Sequence, residues 1–212
     1  MSTNEEWFNA SWLESWYDWL YSTNSEGECQ FDRNNSCFIQ NGEYHLPYIM
    51  SDYLRESCAG ILIDGKDVAE IGIGNGILSK TYFGDAEPTW DGYDISYKAC
   101  RVSEGRYKYI KKLDMNKQCL PKKYDCILGC GVFGYLHLDA TGLENVYNSL
   151  NDDGFLIISV PRKRGYYKMS GFDTQSRFEL LEATKNFSSG MFQNLGENIE
   201  PQWHQIRTFR KV

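Results

Sequence analysis

The sequence predicts an α/β protein built on a doubly wound, mainly parallel seven-stranded sheet with an N-terminal helical extension. From residue 66 onward, apolar runs alternate with segments of helical pattern, and such alternation is typical of a parallel sheet with helices on both faces. The first apolar run ends in a glycine-rich turn, which lets a strand pass closely into a helix. We therefore expect a helical extension or lid at 1–60 and the main domain at 61–212.

The individual elements follow from the same pattern. We expect strands at 66–71, 89–94, 107–113, 124–129 and 154–160, and helices at 76–83, 96–104 and 139–150. Pro47 suits the first turn of a helix over 47–58. Residues 174–186 are expected to be helical, and 202–210 to form the last, antiparallel strand.

The N-terminal extension has the pattern of an amphipathic helix. Thr3 and Glu6 fit a capping box, and the helix is expected to run to about Tyr21. Its apolar stripe contains three tryptophans at helical spacing, Trp12, Trp16 and Trp19. The stripe either packs on the domain or covers a substrate pocket as a lid, and in the second case Trp16 would contact the substrate.

Composition argues against several classes of protein. The net charge of −7 argues against a broad nucleic-acid-binding surface. The basic segment 162–164 is a local exception, either a solvated loop or a site that attracts an anionic substrate. No apolar run approaches the ~20 residues of a membrane span, and the acidic N-terminus does not fit a signal peptide. Seven cysteines without a C-x-x-C pair argue against a zinc site and favour reduced thiols in the cytoplasm.

The glycine-rich turn carries the strongest functional signal. Gly72, Gly74 and Gly76 follow an apolar strand that contains Glu70, and they precede a helix. A turn without Cβ atoms lets the backbone approach a ligand, and amides at a helix start favour a polar or anionic group. The dinucleotide-binding fingerprint would need its third glycine at position 77, where this sequence has Ile77. This departure disfavours a dinucleotide-dependent oxidoreductase.

Two acids stand at the ends of the next two strands. Asp94 lies about twenty residues after the glycines, where a carboxylate can accept from both hydroxyls of a ribose. Asp114, followed by Met115, ends the third strand. The residues also allow Asp94 to be a helix cap, Asp114 a surface turn residue, and Glu70 an acceptor for loop amides. The glycines could serve only as a tight connection.

Five segments in this order resemble the class I S-adenosylmethionine-dependent methyltransferases, over roughly residues 44 to 165. They are E-I-G-I-G-N-G, D-I-S, L-D-M, Y-D-C-I-L-G and D-D-G-F-L-I-I-S-V-P. The overall plan also looks like the small methyltransferases named for the Williams–Beuren region. The resemblance implies a Rossmann-like fold, S-adenosylmethionine as cofactor, glycines at its methionine end, Asp94 at the ribose and Asp114 with Met115 at the adenine. The full set of implied cofactor contacts is Tyr44, Glu70, Gly72, Gly74, Asn75, Gly76, Asp94, Ile95, Asp114, Met115 and Gly129.

Methyl transfer needs a positioned acceptor and, for some acceptors, a base. His137, just past the fourth strand, is the candidate base; the alternative is a structural role in the loop or as a helix cap. Tyr48 and Tyr135 could place aromatic faces near the sulfonium of the cofactor. Gly129 is not followed by the N-P-P-Y or D-P-P-Y signature of amino-group methylation. We expect an oxygen, sulfur or simple amine acceptor on a small, possibly anionic or aromatic molecule, and a monomer or homodimer. The alternative is a catalytically silent subunit that binds the cofactor and activates a partner protein.

Overall fold

The computed structural model describes residues 10–23, 45–57, 62–133, 137–161, 177–195 and 198–212. Within these ranges the helices are α1 (Ala10–Leu20), α2 (Leu46–Glu56), α3 (Ile77–Phe83), α4 (Tyr97–Val102) and α5 (Ala140–Asn148). The strands are β1 (Val68–Ile71), β2 (Asp91–Asp94), β3 (Tyr109–Lys112), β4 (Tyr124–Gly129), β5 (Leu150–Pro161), β6 (Phe178–Ala183), β7 (Phe187–Leu195) and β8 (Asn198–Lys211).

All eight of these strands join one sheet in the order β3-β2-β1-β4-β5-β8-β6, and β7 also pairs with β8. The pairs among β1 to β5 are parallel, whereas β8 runs antiparallel to β5, β6 and β7. The chain therefore builds outward from β1 to β3 and then returns to place β4 beside β1. Ligands of doubly wound sheets bind at the carboxyl edge beside such a reversal. The predicted α/β fold and the predicted antiparallel strand are confirmed.

The core lies on both faces of this sheet because its inner strands are buried on both sides. In β4, Ile127 belongs to the cluster that Val146 of α5 covers, and the next residue, Leu128, belongs to the opposite cluster. Met50 and Leu54 of α2 cover that opposite face. Successive side chains of a strand point to opposite faces, so the apolar run of β4 serves two cores at once.

The prediction of a helix at 174–186 is wrong. Within its described part, Phe178–Ala183 forms β6, which pairs antiparallel with β8. Glu179, Leu180 and Glu182 are good helix formers, but the neighbouring strand supplies hydrogen-bond partners that outweigh this weak preference. With β7 following β6, the described residues contribute eight strands to the sheet, one more than the expected seven.

Several sequence predictions lie outside the described residues. These are the capping box at 3–6, the basic segment 162–164 and two of the predicted site residues, Tyr44 and Tyr135. Of the helices that are described, none is both long enough and apolar enough to cross a membrane.

Candidate active site

The glycine turn after β1 forms a tight loop at the carboxyl edge of the sheet. Gly72, Gly74 and Gly76 have φ values of 68°, 54° and 73°, a left-handed region that favours glycine. The Gly72 amide donates to the Tyr93 carbonyl at 2.7 Å. A Cβ on Gly72 would stand 2.0 Å from Val132 Cγ2, so the loop also packs directly against the segment after β4.

Asp94, at the end of β2, fastens this loop. Its Oδ2 accepts from the Gly74 amide at 3.0 Å, and its Oδ1 accepts from the Ser96 amide at 2.8 Å. Asp94 is 6% exposed. Burial raises the pKa of Asp94 to about 6, and the charge of nearby Asp18 contributes to this rise, whereas the hydrogen bonds from the backbone amides act to lower the pKa. Each carboxylate oxygen can accept more than one hydrogen bond, so Asp94 can hold the loop and still accept from a ligand hydroxyl. The helix cap of α4 is Ser96, which accepts from the Ala99 amide.

Glu70 lies in β1 beneath the same loop and is almost completely buried. Its Oε2 accepts a hydrogen bond from the Tyr107 hydroxyl at 2.8 Å. Burial, opposed by the Tyr107 hydrogen bond and assisted by the charge of Asp94, raises the pKa of Glu70 to about 8. Glu70 is therefore mostly protonated at neutral pH and ties β1 to the segment before β3.

The turn after β3 presents a carboxylate oxygen with spare acceptor capacity. Asp114 Oδ1 accepts from the Asn116 amide at 3.0 Å. Its Oδ2 is buried and receives no hydrogen bond of good geometry from the described residues, although the exposed Lys117 ammonium lies 3.1 Å away. Met115 is buried beside it in the core, so this turn offers one acceptor next to an apolar surface.

The segment after β4 is held from two sides. Gly129 ends β4, and a Cβ there would stand 2.4 Å from Phe133 Cε2, which explains why this position is glycine. Asn116 donates to the His137 carbonyl at 3.0 Å and accepts from the Asp139 amide at 3.0 Å. One side chain thus links the turn after β3 to the loop that carries the candidate base.

His137 itself is hydrogen-bonded to α1. Its Nε2 lies 3.2 Å from the Tyr17 hydroxyl, and the two rings meet edge to face. Burial lowers the pKa of His137 to about 4. The imidazole is therefore neutral at neutral pH but a weak base, and its assignment as the catalytic base stays a prediction.

Four further contacts of α1 and of Tyr21, which directly follows it, place the helix across the same edge of the sheet. A Cβ on Gly74 would stand 2.5 Å from the Tyr21 hydroxyl. Asp18 Oδ1 accepts from Ser96 Oγ at 2.6 Å and from the Lys98 amide at 3.2 Å. Glu14 forms an ion pair with Lys112, the last residue of β3.

The arrangement has counterparts among known proteins. The sequence profile of a methyltransferase domain matches residues 43–206. The chain belongs to this methyltransferase domain family. No curated protein matches the sequence of this methyltransferase.

Solved structures share the fold of the methyltransferase at low sequence identity. An N-methyltransferase from Bradyrhizobium japonicum, in complex with S-adenosyl-L-homocysteine, is 13% identical with a TM-score of 0.60 and coverage of 93% of this chain and 97% of that one. Magnesium protoporphyrin IX methyltransferase from Synechocystis, with bound S-adenosylmethionine, is 15% identical with a TM-score of 0.55 and coverage of 96% and 97%. A protein from Pyrococcus horikoshii described as a putative RNA methyltransferase is 16% identical with a TM-score of 0.55 and coverage of 92% and 88%.

Family membership and the shared fold confirm the predicted class, an S-adenosylmethionine-dependent methyltransferase. The fold also brings most of the predicted cofactor residues of the methyltransferase to one edge of the sheet. Glu70 and the three glycines lie at the end of β1, Asp94 at the end of β2, and Gly129 at the end of β4. Asn75 lies within the glycine turn and Ile95 directly follows β2.

The predicted substrate residues are less well grouped. Tyr48 is 49% exposed on α2, and Trp16 packs against Trp19, with ring centroids 5.2 Å apart. Trp19 is itself 46% exposed, so this residue of the stripe does not lie on the buried side of α1. Tyr17 lies on that side and the buried Tyr21 directly follows the helix, and sequence reasoning missed both. Their spacing of four residues, continued from Leu13, was the signal that could have found them.

Proposed function

We propose that the chain transfers the methyl group of S-adenosylmethionine to an oxygen, sulfur or simple amine atom of a small molecule. The observation that carries this proposal is the junction of the glycine loop with Asp94, through the Gly74 amide at 3.0 Å. This hydrogen bond links the two parts of the proposed site. The glycine loop lets a ligand come close to its backbone, and the carboxylate can accept hydrogen bonds from ribose hydroxyls.

The cofactor would lie along the edge of the sheet, with its methionine end at the loop after β1 and its adenine at the turn after β3. Gly72, Gly74 and Gly76 would receive the methionine end. Asp94 would accept from the ribose, and the spare Oδ2 of Asp114 would accept from the exocyclic amine of the adenine beside Met115. The sulfonium of the bound cofactor supplies an activated methyl group, and these residues position it and exclude water.

The acceptor class rests on two features of the chain. The segment after β4 reads Gly129-Cys130-Gly131-Val132, without the N-P-P-Y or D-P-P-Y signature for methylation of an amide or base amino group. The same edge of the sheet is bridged by α1 through Tyr17 and Asp18. A covered, partly aromatic site favours a small acceptor over a polymer, which would need an open approach.

Methyl transfer with isotopically labelled S-adenosylmethionine tests the proposal. We expect label in the low-molecular-weight fraction of a cell extract and in simple hydroxyl, thiol or amine acceptors. At cofactor concentrations below the wild-type dissociation constant, Asp94→Ala should transfer about thirtyfold less label than the wild type. Label in RNA or polypeptide alone would contradict the small-molecule assignment, and transfer that requires an added partner protein would favour a silent, activating subunit.

A further inference from the structure

We infer that α1 is a gate for cofactor exchange, held shut by a latch of three residues: Tyr17, Asp18 and Tyr21. This inference rests on the proposed function, because it assigns a cofactor to the edge of the sheet that α1 crosses. The gate must swing away before a nucleoside can reach Asp94, and it closes again over the bound cofactor.

The position of α1 is the first argument. The helix and Tyr21, which directly follows it, contact the carboxyl ends of four adjacent strands. Tyr21 meets the loop after β1, Asp18 the residues after β2, Glu14 the end of β3, and Tyr17 the loop after β4. These are the four strand ends over which the proposed cofactor site extends. A helix that spans all of them lies in the path of a ligand.

The burial of Asp94 is the second argument. Asp94 is 6% exposed, and Ser96, whose amide donates to Asp94 Oδ1, also donates from its hydroxyl to Asp18 of α1 at 2.6 Å. Burial and, to a smaller extent, the charge of Asp94 raise the pKa of the Tyr17 hydroxyl. A ribose cannot form two hydrogen bonds with a carboxylate from which solvent is excluded unless a neighbouring group moves. Since β2 and the glycine loop are part of the core, α1 is the element that can move.

The small apolar contact beneath α1 is the third argument. Its buried members are Leu20 of α1, Tyr21 directly after the helix, and Ala99 of α4, and Tyr17 and Val102 pack at the margin. This cluster is far smaller than either core of the sheet. Elements with few buried apolar contacts open at low cost in free energy, so polar latch contacts can decide the open fraction.

Charge adds to the docking of α1. The helix contains Glu14 and Asp18 and neither Lys nor Arg, whereas residues 98–112 contain six basic residues and one acid. One pair from these groups, Glu14 and Lys112, is in contact. Surface charge pairs weaken with ionic strength, so the gate should open more often at high salt.

The test follows exchange of S-adenosylhomocysteine by stopped-flow tryptophan fluorescence in Tyr17→Phe and Asp18→Ala. Tyr17→Phe keeps the ring and removes the hydroxyl that pairs with His137. We expect the association and dissociation rate constants to rise together, about fivefold for each lost hydrogen bond, with a smaller change in the dissociation constant. Added salt should raise both rate constants of the wild type.

Ser22→Ala is the matched control, because among the described residues the Ser22 hydroxyl hydrogen-bonds only at the helix end, where it donates to the Trp19 carbonyl at 2.7 Å. It should exchange ligand at the wild-type rate. Wild-type rate constants in both latch variants, with binding intact, would overturn the gate and leave the proposed function standing. Failure of the wild type to bind S-adenosylhomocysteine at all would overturn both.

Discussion

Asp94→Ala is expected to weaken S-adenosylmethionine binding by on the order of 2 kcal/mol, about thirtyfold, as for loss of a charged hydrogen-bond acceptor. The carboxylate holds the Gly74 amide of the loop and has acceptor capacity left for the ribose. Both functions disappear with the side chain. Calorimetric titration of folded wild type and variant measures the difference.

Asp125→Ala is the matched control for Asp94→Ala. Asp125 likewise accepts from a backbone amide, that of Asp67 at 3.0 Å, and from a side chain, Asn151 Nδ2 at 2.9 Å. It lies at the amino end of β4, at the opposite edge of the sheet from the glycine loop. The control should lose stability and retain affinity. Equal affinity in the wild type and a folded Asp94→Ala protein would remove Asp94 from the cofactor site.

Glu70 is expected to make the unliganded protein less stable as pH rises. Its carboxyl has a pKa of about 8 in the folded state and an ordinary value near 4.3 in the unfolded chain. Between these values the folded state binds the extra proton, so the free energy of unfolding falls with increasing pH, by about 1.4 kcal/mol per unit at most. Above the folded pKa the loss is complete.

Glu70→Gln should abolish this slope, because the amide does not titrate and can still accept from the Tyr107 hydroxyl. The informative window is pH 7 to 8, which lies above the folded-state pKa of Asp94, about 6, and above the ordinary pKa near 6.5 that His137 has in the unfolded chain. There we expect the wild type to lose on the order of 1 kcal/mol and the variant to stay nearly flat. Denaturant unfolding at several pH values gives both curves, and parallel slopes would show that Glu70 is ionised when folded.

Much of the fold could be predicted because buried parallel strands leave a local signal. Strand β4 was expected at 124–129 and lies there, and the glycines after β1 all take positive φ. The side chains of an apolar run must be buried, and the glycines that end it allow the chain to turn. These requirements depend on neighbouring residues of the chain, so the sequence contains them.

Contacts between distant segments could not be predicted in the same way. The bond between Gly74 and Asp94 joins residues twenty apart, and that between Tyr17 and His137 joins residues 120 apart. Strand β6 depends on β8, which supplies its hydrogen bonds against the helix preference of Glu179 and Leu180. Trp19 was conspicuous in the sequence but is 46% exposed, whereas Tyr21 and Tyr17 face the domain and reach the loops after β1 and β4.

The most direct test of the account is calorimetric titration of the purified chain with S-adenosylmethionine, S-adenosylhomocysteine and NAD. The geometry of the glycine loop, Asp94 and Asp114 predicts binding of both adenosyl ligands with dissociation constants on the order of micromolar, and no binding of NAD. Binding of NAD alone would contradict the assignment of the loop. Absence of binding to either adenosyl ligand by a folded protein would contradict the cofactor site as a whole.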